Sequence, residues 1–155
     1  MASGSSRGTG WVVGQFALLG VIALLAFLTP PWPDGARTTL RVTGGIVALA
    51  GAVLAVAAAR ELGPSLTPFP RPSRRGTLVD TGPFRVVRHP IYTGGLLFCL
   101  GVSLATGILT LAASAALAAL WAGKLRVEEA HLVERFPEYA GYQARVPARL
   151  VPGVY

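Results

Sequence analysis

Three long stretches without a charged residue are the feature that most constrains how this chain can fold. They cover residues 11–28, 42–59 and 91–120. A helix needs about 20 apolar residues to cross the hydrocarbon core of a bilayer, with about 17 as the lower limit. The first two stretches therefore qualify as spans. The third is too long for one span, and its small and polar residues near 103–107 predict a break into a helical hairpin.

The sequence therefore predicts an all-α integral membrane protein with about four transmembrane helices. The predicted spans are residues 11–29, 42–59, 91–105 and 108–123. The last two would form the hairpin, which continues into cytosolic C-terminal helices over residues 124–146. A tryptophan near a span end is typical of an interfacial anchor, and three residues fit that description: Trp11, Trp32 and Trp121.

The length of 155 residues leaves room for one domain, expected over residues 11–155. Residues 1–10 have low complexity and are expected to be a flexible tail. The first apolar stretch is longer than the core of a signal peptide, and residues 28–31 are not a small-residue cleavage site. We therefore expect it to remain as a membrane span.

The formal net charge of +7 would indicate nucleic-acid binding in a soluble protein. Its distribution points elsewhere, because the predicted topology places twelve basic residues on one side and two on the other. Arg37 and Arg41 form the smaller group. The larger group consists of Arg7, Arg60, Arg71, Arg74, Arg75, Arg85, Arg88, Lys124, Arg126, Arg135, Arg145 and Arg149. The positive-inside rule then predicts a multi-pass protein of the cell (inner) membrane with both termini cytoplasmic. Its partners would be anionic membrane lipids and not nucleic acid.

A metal site is not expected from the sequence. Cys99 is the only cysteine, and it lies inside an apolar stretch, where a small core or lipid-facing residue is the ordinary interpretation. His89 and His131 have no cysteine or clustered carboxylates nearby at ligand spacing.

The loop over residues 76–94 combines turn residues with a cation and an imidazole, and it leads directly into an apolar helix. Pro90 fits the first helical position, so His89 should lie just outside the helix. Arg88 and His89 would then face a helix N-terminus, which favours anions. Gly82 turns the chain, and Gly94 leaves room for close approach of backbone or ligand. We expect this pole to bind a carboxylate or a phosphate.

A second pole is expected on the last long helix. At 100° per residue, Glu129 falls in the middle of the apolar stripe formed by Leu125, Leu132 and Phe136, and Glu128 falls at its edge. A carboxylate on a buried face needs a partner or a ligand. The pair would suit an ammonium, a sulfonium or ribose hydroxyls. The alternative is that both glutamates are solvated and pair with basic residues at helical spacing, which are Lys124, Arg126 and Arg135.

S-adenosylmethionine carries all of these groups. Two motifs support that ligand: L-V-x-x-G-P-F-R-x-x-R-H-P-x-Y-x-G beginning at Leu78, and E-E-x-x-L-x-x-x-F-x-x-Y-x-x-Y-x-x-x-V-P beginning at Glu128. In this order and spacing they resemble the isoprenylcysteine carboxyl methyltransferase and phospholipid methyltransferase family. The resemblance covers residues 76–152, about half of the chain.

The resemblance implies a membrane-embedded, S-adenosylmethionine-dependent methyltransferase without a Rossmann domain, whose cofactor lies at the cytosolic helix ends. It implies cofactor contacts from Leu78, Val79, Gly82, Arg88, His89, Tyr92, Gly94, Glu128 and Glu129. Catalytic roles would fall to Arg85, Arg88 and Glu129, with either arginine orienting an anionic acceptor. Tyr139 and Tyr142 are interpreted as interfacial packing aromatics. Glu129→Gln is expected to abolish cofactor binding without unfolding the protein, and Arg74→Ala to do little.

The acceptor and the oligomeric state stay open. The eukaryotic prenylcysteine enzymes are longer than this chain, so the acceptor is only expected to be lipidic or small: a carboxylate, amine, thiol or quinone-like lipid. Two other functions are compatible with the sequence. One is a sterol-reductase-like enzyme that uses NADPH, although paired glutamates would repel a dinucleotide's phosphates. The other is a non-enzymatic module that binds anionic lipid through its inner loop.

Overall fold

The computed structural model describes residues 8–74 and 76–153. The predictions for residues 1–7, including Arg7, and for Arg75 lie outside the described residues. Five α-helices are present: α1 (Thr9–Leu28), α2 (Asp34–Leu62), α3 (Pro90–Thr106), α4 (Ile108–Arg135) and α5 (Tyr139–Arg145). Short 3-10 turns cover Gly63–Ser65 and Gly82–Arg85. No strand occurs in the described ranges, so the prediction of an all-α fold is confirmed.

The four long helices lie side by side in the order α2, α3, α4, α1. Three of them are long and apolar enough to cross a membrane: α1, α2 with the turn that follows it, and α4. α3 is also apolar but has only 17 residues. The count of four spans therefore stays a prediction. A single residue, Gly107, separates α3 from α4, inside the region where the sequence predicted a break.

The contact between α2 and α3 is a seam of small residues. A Cβ atom added to Gly51 would collide with the backbone of Gly94, and one added to Gly44 would collide with the backbone of Gly101. The helices are antiparallel, because Gly44 pairs with the later residue on α3 and Gly51 with the earlier one. Close packing of this kind brings two helix backbones into direct contact. Gly94 therefore serves the approach of α2 rather than of a ligand.

The centre of the bundle lies between α1, α3 and α4. Cys99 is 1% exposed there, so of the two expected positions, core or lipid-facing, it occupies the core. Trp121 is also buried, so the prediction that it anchors the interface is wrong. Its ring covers Gly95 and meets the ring of Tyr92 edge-on, with centroids 5.1 Å apart. Because Gly95 has no side chain, the indole ring of Trp121 has room to pack against α3.

The short length of α3 creates a recess at one end of the bundle. Gly94, near the start of α3, lies against Ala55 of α2, and Tyr92 reaches Glu128 of α4. Both neighbours then continue for at least another turn, α2 to Leu62 and α4 to Arg135. The first turn of α1 and the segment after α5 lie at this same end. The two ends of the described chain therefore share one side of the bundle, whereas its orientation in a membrane stays a prediction.

Candidate functional site

The recess forms an open cleft with a cavity volume of about 100 Å³. Its apolar walls come from the end of α2, the loop that follows, the C-terminal part of α4 and α5. The apolar wall residues are Leu62, Phe69, Pro70, Pro72, Leu78, Val79, Phe84, Ile91, Leu132 and Phe136. The charged or ionisable residues in the lining are Arg88, His89, Tyr92, Glu128, Tyr139 and Tyr142.

Glu129 lies behind the cleft and joins three basic side chains. Arg88 Nε donates to Glu129 Oε1 at 2.8 Å, and Arg149 Nη2 lies 2.7 Å from Oε2. His89 Nε2 is 3.1 Å from Oε1, and the Tyr139 hydroxyl is 3.5 Å away. The residue is 5% exposed and is not part of the cleft lining. The helical-stripe argument for a buried carboxylate at this position is confirmed, and its partners are protein side chains.

Arg88 is held by a segment close to the C-terminus, which we call the C-terminal strap (residues 146–150). Arg88 Nη1 donates to the carbonyl oxygens of Val146 and Pro147 at 2.8 and 2.6 Å. The backbone N–H groups of Arg88 and His89 donate to the carbonyls of residues 148 and 149, and the Thr93 hydroxyl donates to that of residue 150. Glu129 is a further acceptor, so the guanidinium of Arg88, which was predicted to bind an anion, is already hydrogen-bonded within the protein.

Glu128 is the carboxylate that faces the cleft. The Tyr92 hydroxyl donates to Glu128 Oε2 at 2.7 Å, and His89 Nδ1 lies 3.9 Å from Oε1. The Glu128 side chain is 22% exposed, three times as much as that of Glu129. The imidazole of His89 therefore lies between two carboxylates: that of Glu129 behind the cleft and that of Glu128 in the cleft lining. The helical-stripe argument favoured Glu129, whereas the geometry offers Glu128 to a ligand.

Tyr139 and Tyr142 are buried inside the wall of the cleft, at 1% and 2% exposure. The interpretation of both as packing residues agrees with this position, although they lie in the core and not at a surface. The Tyr142 hydroxyl donates to the carbonyl of Phe84 at 2.8 Å, which ties α5 to the loop before α3. Burial raises the pKa of Tyr142 to about 12, so its hydroxyl stays protonated at neutral pH and keeps donating.

The other candidate residues separate into two groups. Leu78 and Val79 line the cleft. Arg85 is exposed at the end of a 3-10 turn, and neither it nor Gly82 is part of the lining. Gly82 has φ of +55°, and a Cβ atom there would also press on the carboxyl group of Glu61. Its role is to shape the turn. The structure thus brings Leu78, Val79, Arg88, His89, Tyr92 and Glu128 to the cleft, but not Arg85, Gly82 or Gly94.

Sequence reasoning missed two features of the site. Arg149 was counted only as a basic residue, and no motif or helical spacing connects it to Glu129. Lys124 was considered only in the alternative interpretation, as a possible partner of the glutamates along its helix, whereas its hydrogen bonds go to Gln15 and Pro68. In both cases the contact joins segments far apart in the chain, which helical periodicity cannot report.

A family model described as "Phospholipid methyltransferase" matches residues 40–139 of the chain. Two curated proteins are similar to part of it. The cobalt-zinc-cadmium resistance protein CzcN of Cupriavidus metallidurans is 39% identical over 77 residues, covering 48% of this chain and 36% of CzcN. The nickel-cobalt-cadmium resistance protein NccN of Alcaligenes xylosoxydans xylosoxydans is 38% identical over 73 residues, covering 46% of this chain and 34% of NccN. The matched region is thus about a third of each curated relative.

The fold is similar to that of a solved membrane protein, the eukaryotic intramembrane Ras methyltransferase ICMT (isoprenylcysteine carboxyl methyltransferase). The TM-score is 0.66 at 20% sequence identity, and the match covers 99% of this chain and 55% of ICMT. At this identity the match shows that the two proteins share a membrane-embedded helical fold.

Proposed function

Because the chain belongs to the phospholipid methyltransferase family, we propose that it is an integral membrane enzyme that transfers a methyl group from S-adenosylmethionine to a lipidic or small acceptor. One observation carries this proposal beyond the family assignment. The carboxylate of Glu128 faces an otherwise largely apolar cleft at the end of a membrane-type helix bundle. An anionic group in such a setting attracts a cation more strongly than it would in bulk water.

The residues of the cleft fit S-adenosylmethionine. Glu128 would bind the ammonium or sulfonium end, with Tyr92 fixing the orientation of its carboxylate. The aromatic and aliphatic walls would receive the adenine ring and exclude water. When bound, this cofactor supplies an electrophilic methyl group. Methyl transfer is an in-line displacement, so the contribution of the protein is mainly positioning, which can lower a barrier by about 7–11 kcal/mol.

The acceptor is not identified by the chemistry of the cleft. A carboxylate acceptor is already ionised at neutral pH and needs no base. An amine or thiol would need to lose a proton, and a glutamate or a bound water could take it. We propose that an apolar acceptor enters from the bilayer and the cofactor from the cytosol. In the orientation that allows these two entry routes, the enzyme lies in the inner membrane of the cell and both of its termini are in the cytoplasm.

The same carboxylate argues against the two alternative functions. Glu128 would repel the phosphates of NADPH, which a reductase would have to bind in this cleft. A module that binds only anionic lipid would gain nothing from a negative group in the lining of its cleft.

Glu128→Gln is expected to weaken binding of S-adenosylhomocysteine by roughly 10- to 100-fold, because a hydrogen bond to a charged group is worth about 1.5–3 kcal/mol. Titration calorimetry on the detergent-purified protein measures this directly. Glu134→Gln is the matched control, because that side chain is on the same helix and 83% exposed. Equal affinity in the wild type and Glu128→Gln would exclude Glu128 as the carboxylate that binds the ammonium group of the cofactor. Absence of binding in a folded wild type would contradict the proposed function and make NADPH the next ligand to test.

A further inference from the structure

Lys124 is a fully buried cation that the proposed chemistry does not use. It is 1% exposed, although it lies one turn before Glu128 on α4. Its Nζ donates to Gln15 Oε1 at 2.5 Å and to the carbonyl oxygen of Pro68 at 2.7 Å. The same Nζ lies 5.4 Å from the centre of the Tyr92 ring, within the range of a cation–π contact. Burying an ammonium group is costly unless its donors are satisfied. Here the partners of the ammonium group come from three separate elements: α1, the loop that contains Pro68, and α3.

One of these elements is the roof of the cleft, residues 66–74. Its base is closed by Ser65, whose hydroxyl accepts from the Thr77 N–H and donates to the Thr77 carbonyl. Towards its far end, Arg135 Nη2 donates to the carbonyl of Arg74 at 3.1 Å, in an exposed position. Between these points, Lys124 donates a partly buried hydrogen bond to the roof through the carbonyl of Pro68. Residues on both sides of Pro68 line the cleft.

We propose that Lys124 is a positioning residue that holds the roof closed over the cofactor cleft. The bond to Pro68 fixes the roof, and the bond to Gln15 fixes α1 against the same nitrogen. The contact with the ring of Tyr92 places that ring so that its hydroxyl meets Glu128. This inference rests on the proposed function only in taking the cleft as the cofactor site.

The substitution Lys124→Met tests the proposal, because methionine keeps a similar length and removes every donor. Limited trypsin digestion of the detergent-purified full chain measures opening of the roof, since Arg74 is exposed there. We expect cleavage after Arg74 to become about tenfold faster, the size expected for losing a charge-assisted hydrogen bond. The affinity for S-adenosylhomocysteine should fall about tenfold as well, while the melting temperature changes little, since replacing a buried ion by an apolar side chain is often neutral.

Two further variants separate the roof from other roles of the lysine. Arg126→Met removes an exposed cation from the same helix and should leave cleavage at the wild-type rate. Gln15→Met removes the α1 acceptor but keeps the bond to Pro68, so the roof should stay protected. Wild-type cleavage in Lys124→Met would overturn the proposal. So would loss of the folded state in both Lys124→Met and the milder Lys124→Gln, because the lysine would then be a general anchor of the bundle.

The digestion result does not depend on ligand binding. If the wild type binds no S-adenosylhomocysteine, the proposed function fails, and the cleavage rates still decide whether Lys124 holds the roof. If the wild type binds the ligand and Lys124→Met binds it equally well with an open roof, the function stands. The link between roof position and cofactor binding is then wrong.

Discussion

Glu129→Ala is expected to destabilise the protein by about 3–5 kcal/mol, because it leaves two buried or half-buried guanidinium groups without their carboxylate. Arg88 and Arg149 each lie within 2.8 Å of Glu129, and His89 lies 3.1 Å away. A loss of this size corresponds to a fall in melting temperature of roughly 10 °C for a domain of this length. Thermal unfolding of the detergent-purified protein, followed by circular dichroism, measures it.

Glu134→Ala is the control for Glu129→Ala, since it removes an exposed carboxylate one or two turns further along the same helix. Its melting temperature should stay within about 1–2 °C of the wild type, because exposed ion pairs contribute at most about 1 kcal/mol. A similarly small effect of Glu129→Ala would contradict the structural role assigned to this residue. The same reasoning revises the expectation that Glu129→Gln leaves the fold intact. Glutamine retains the shape of the side chain but cannot neutralise two arginines.

Gly51→Leu is expected to separate α2 from α3 and to prevent the folded state from forming. A Cβ atom at this position would overlap the Gly94 carbonyl oxygen and the Phe98 backbone nitrogen, and neither atom can move without shifting the whole helix. Overpacking a well-packed core costs about 1–3 kcal/mol even when side chains can adjust. Here the obstacle is backbone, so we expect a loss at the upper end of that range or beyond. Size-exclusion chromatography would show aggregated protein.

Gly45→Leu is the matched control for the seam. Gly45 is on the same helix as Gly51, and a Cβ atom there meets nothing within 4 Å. It should yield a monodisperse protein with a melting temperature equal to or above that of the wild type, since leucine favours the helix more than glycine does. If Gly51→Leu behaves like Gly45→Leu, the close approach of α2 and α3 is wrong. The cleft would then lose one wall, because Leu62 at the end of α2 is part of its lining.

The helical part of the fold was predictable from local pattern. Uncharged stretches of membrane length gave the helices, and the small residues near Gly107 gave the break between α3 and α4. The burial of Glu129 followed from its angle on the helix, since 3.6 residues per turn relates neighbours on one face. These successes share one property: each depends only on residues within a few turns of one another.

The rest of the site depends on contacts between distant segments, which a local pattern does not contain. The partner of Lys124 on α1 is 109 residues away, and the strap carbonyls that hold Arg88 are 58 and 59 residues away. Arg85 looked equivalent to Arg88 in the loop sequence, but the 3-10 turn at Gly82–Arg85 directs the chain so that only Arg88 is buried. The burial of Trp121 likewise depended on which residue faced it across the helix interface.

The C-terminal strap has a consequence for biosynthesis. Backbone carbonyls of residues 146–149 accept from the guanidinium and N–H of Arg88 and from the N–H of His89, and Arg149 supplies a cation to Glu129. The motif and Glu129 therefore leave the ribosome before these partners do. Until residues 146–149 have emerged, Glu129 lacks the guanidinium of Arg149, and Arg88 lacks its carbonyl acceptors. The site is thus completed by a segment that is made after α4, the last of the long helices.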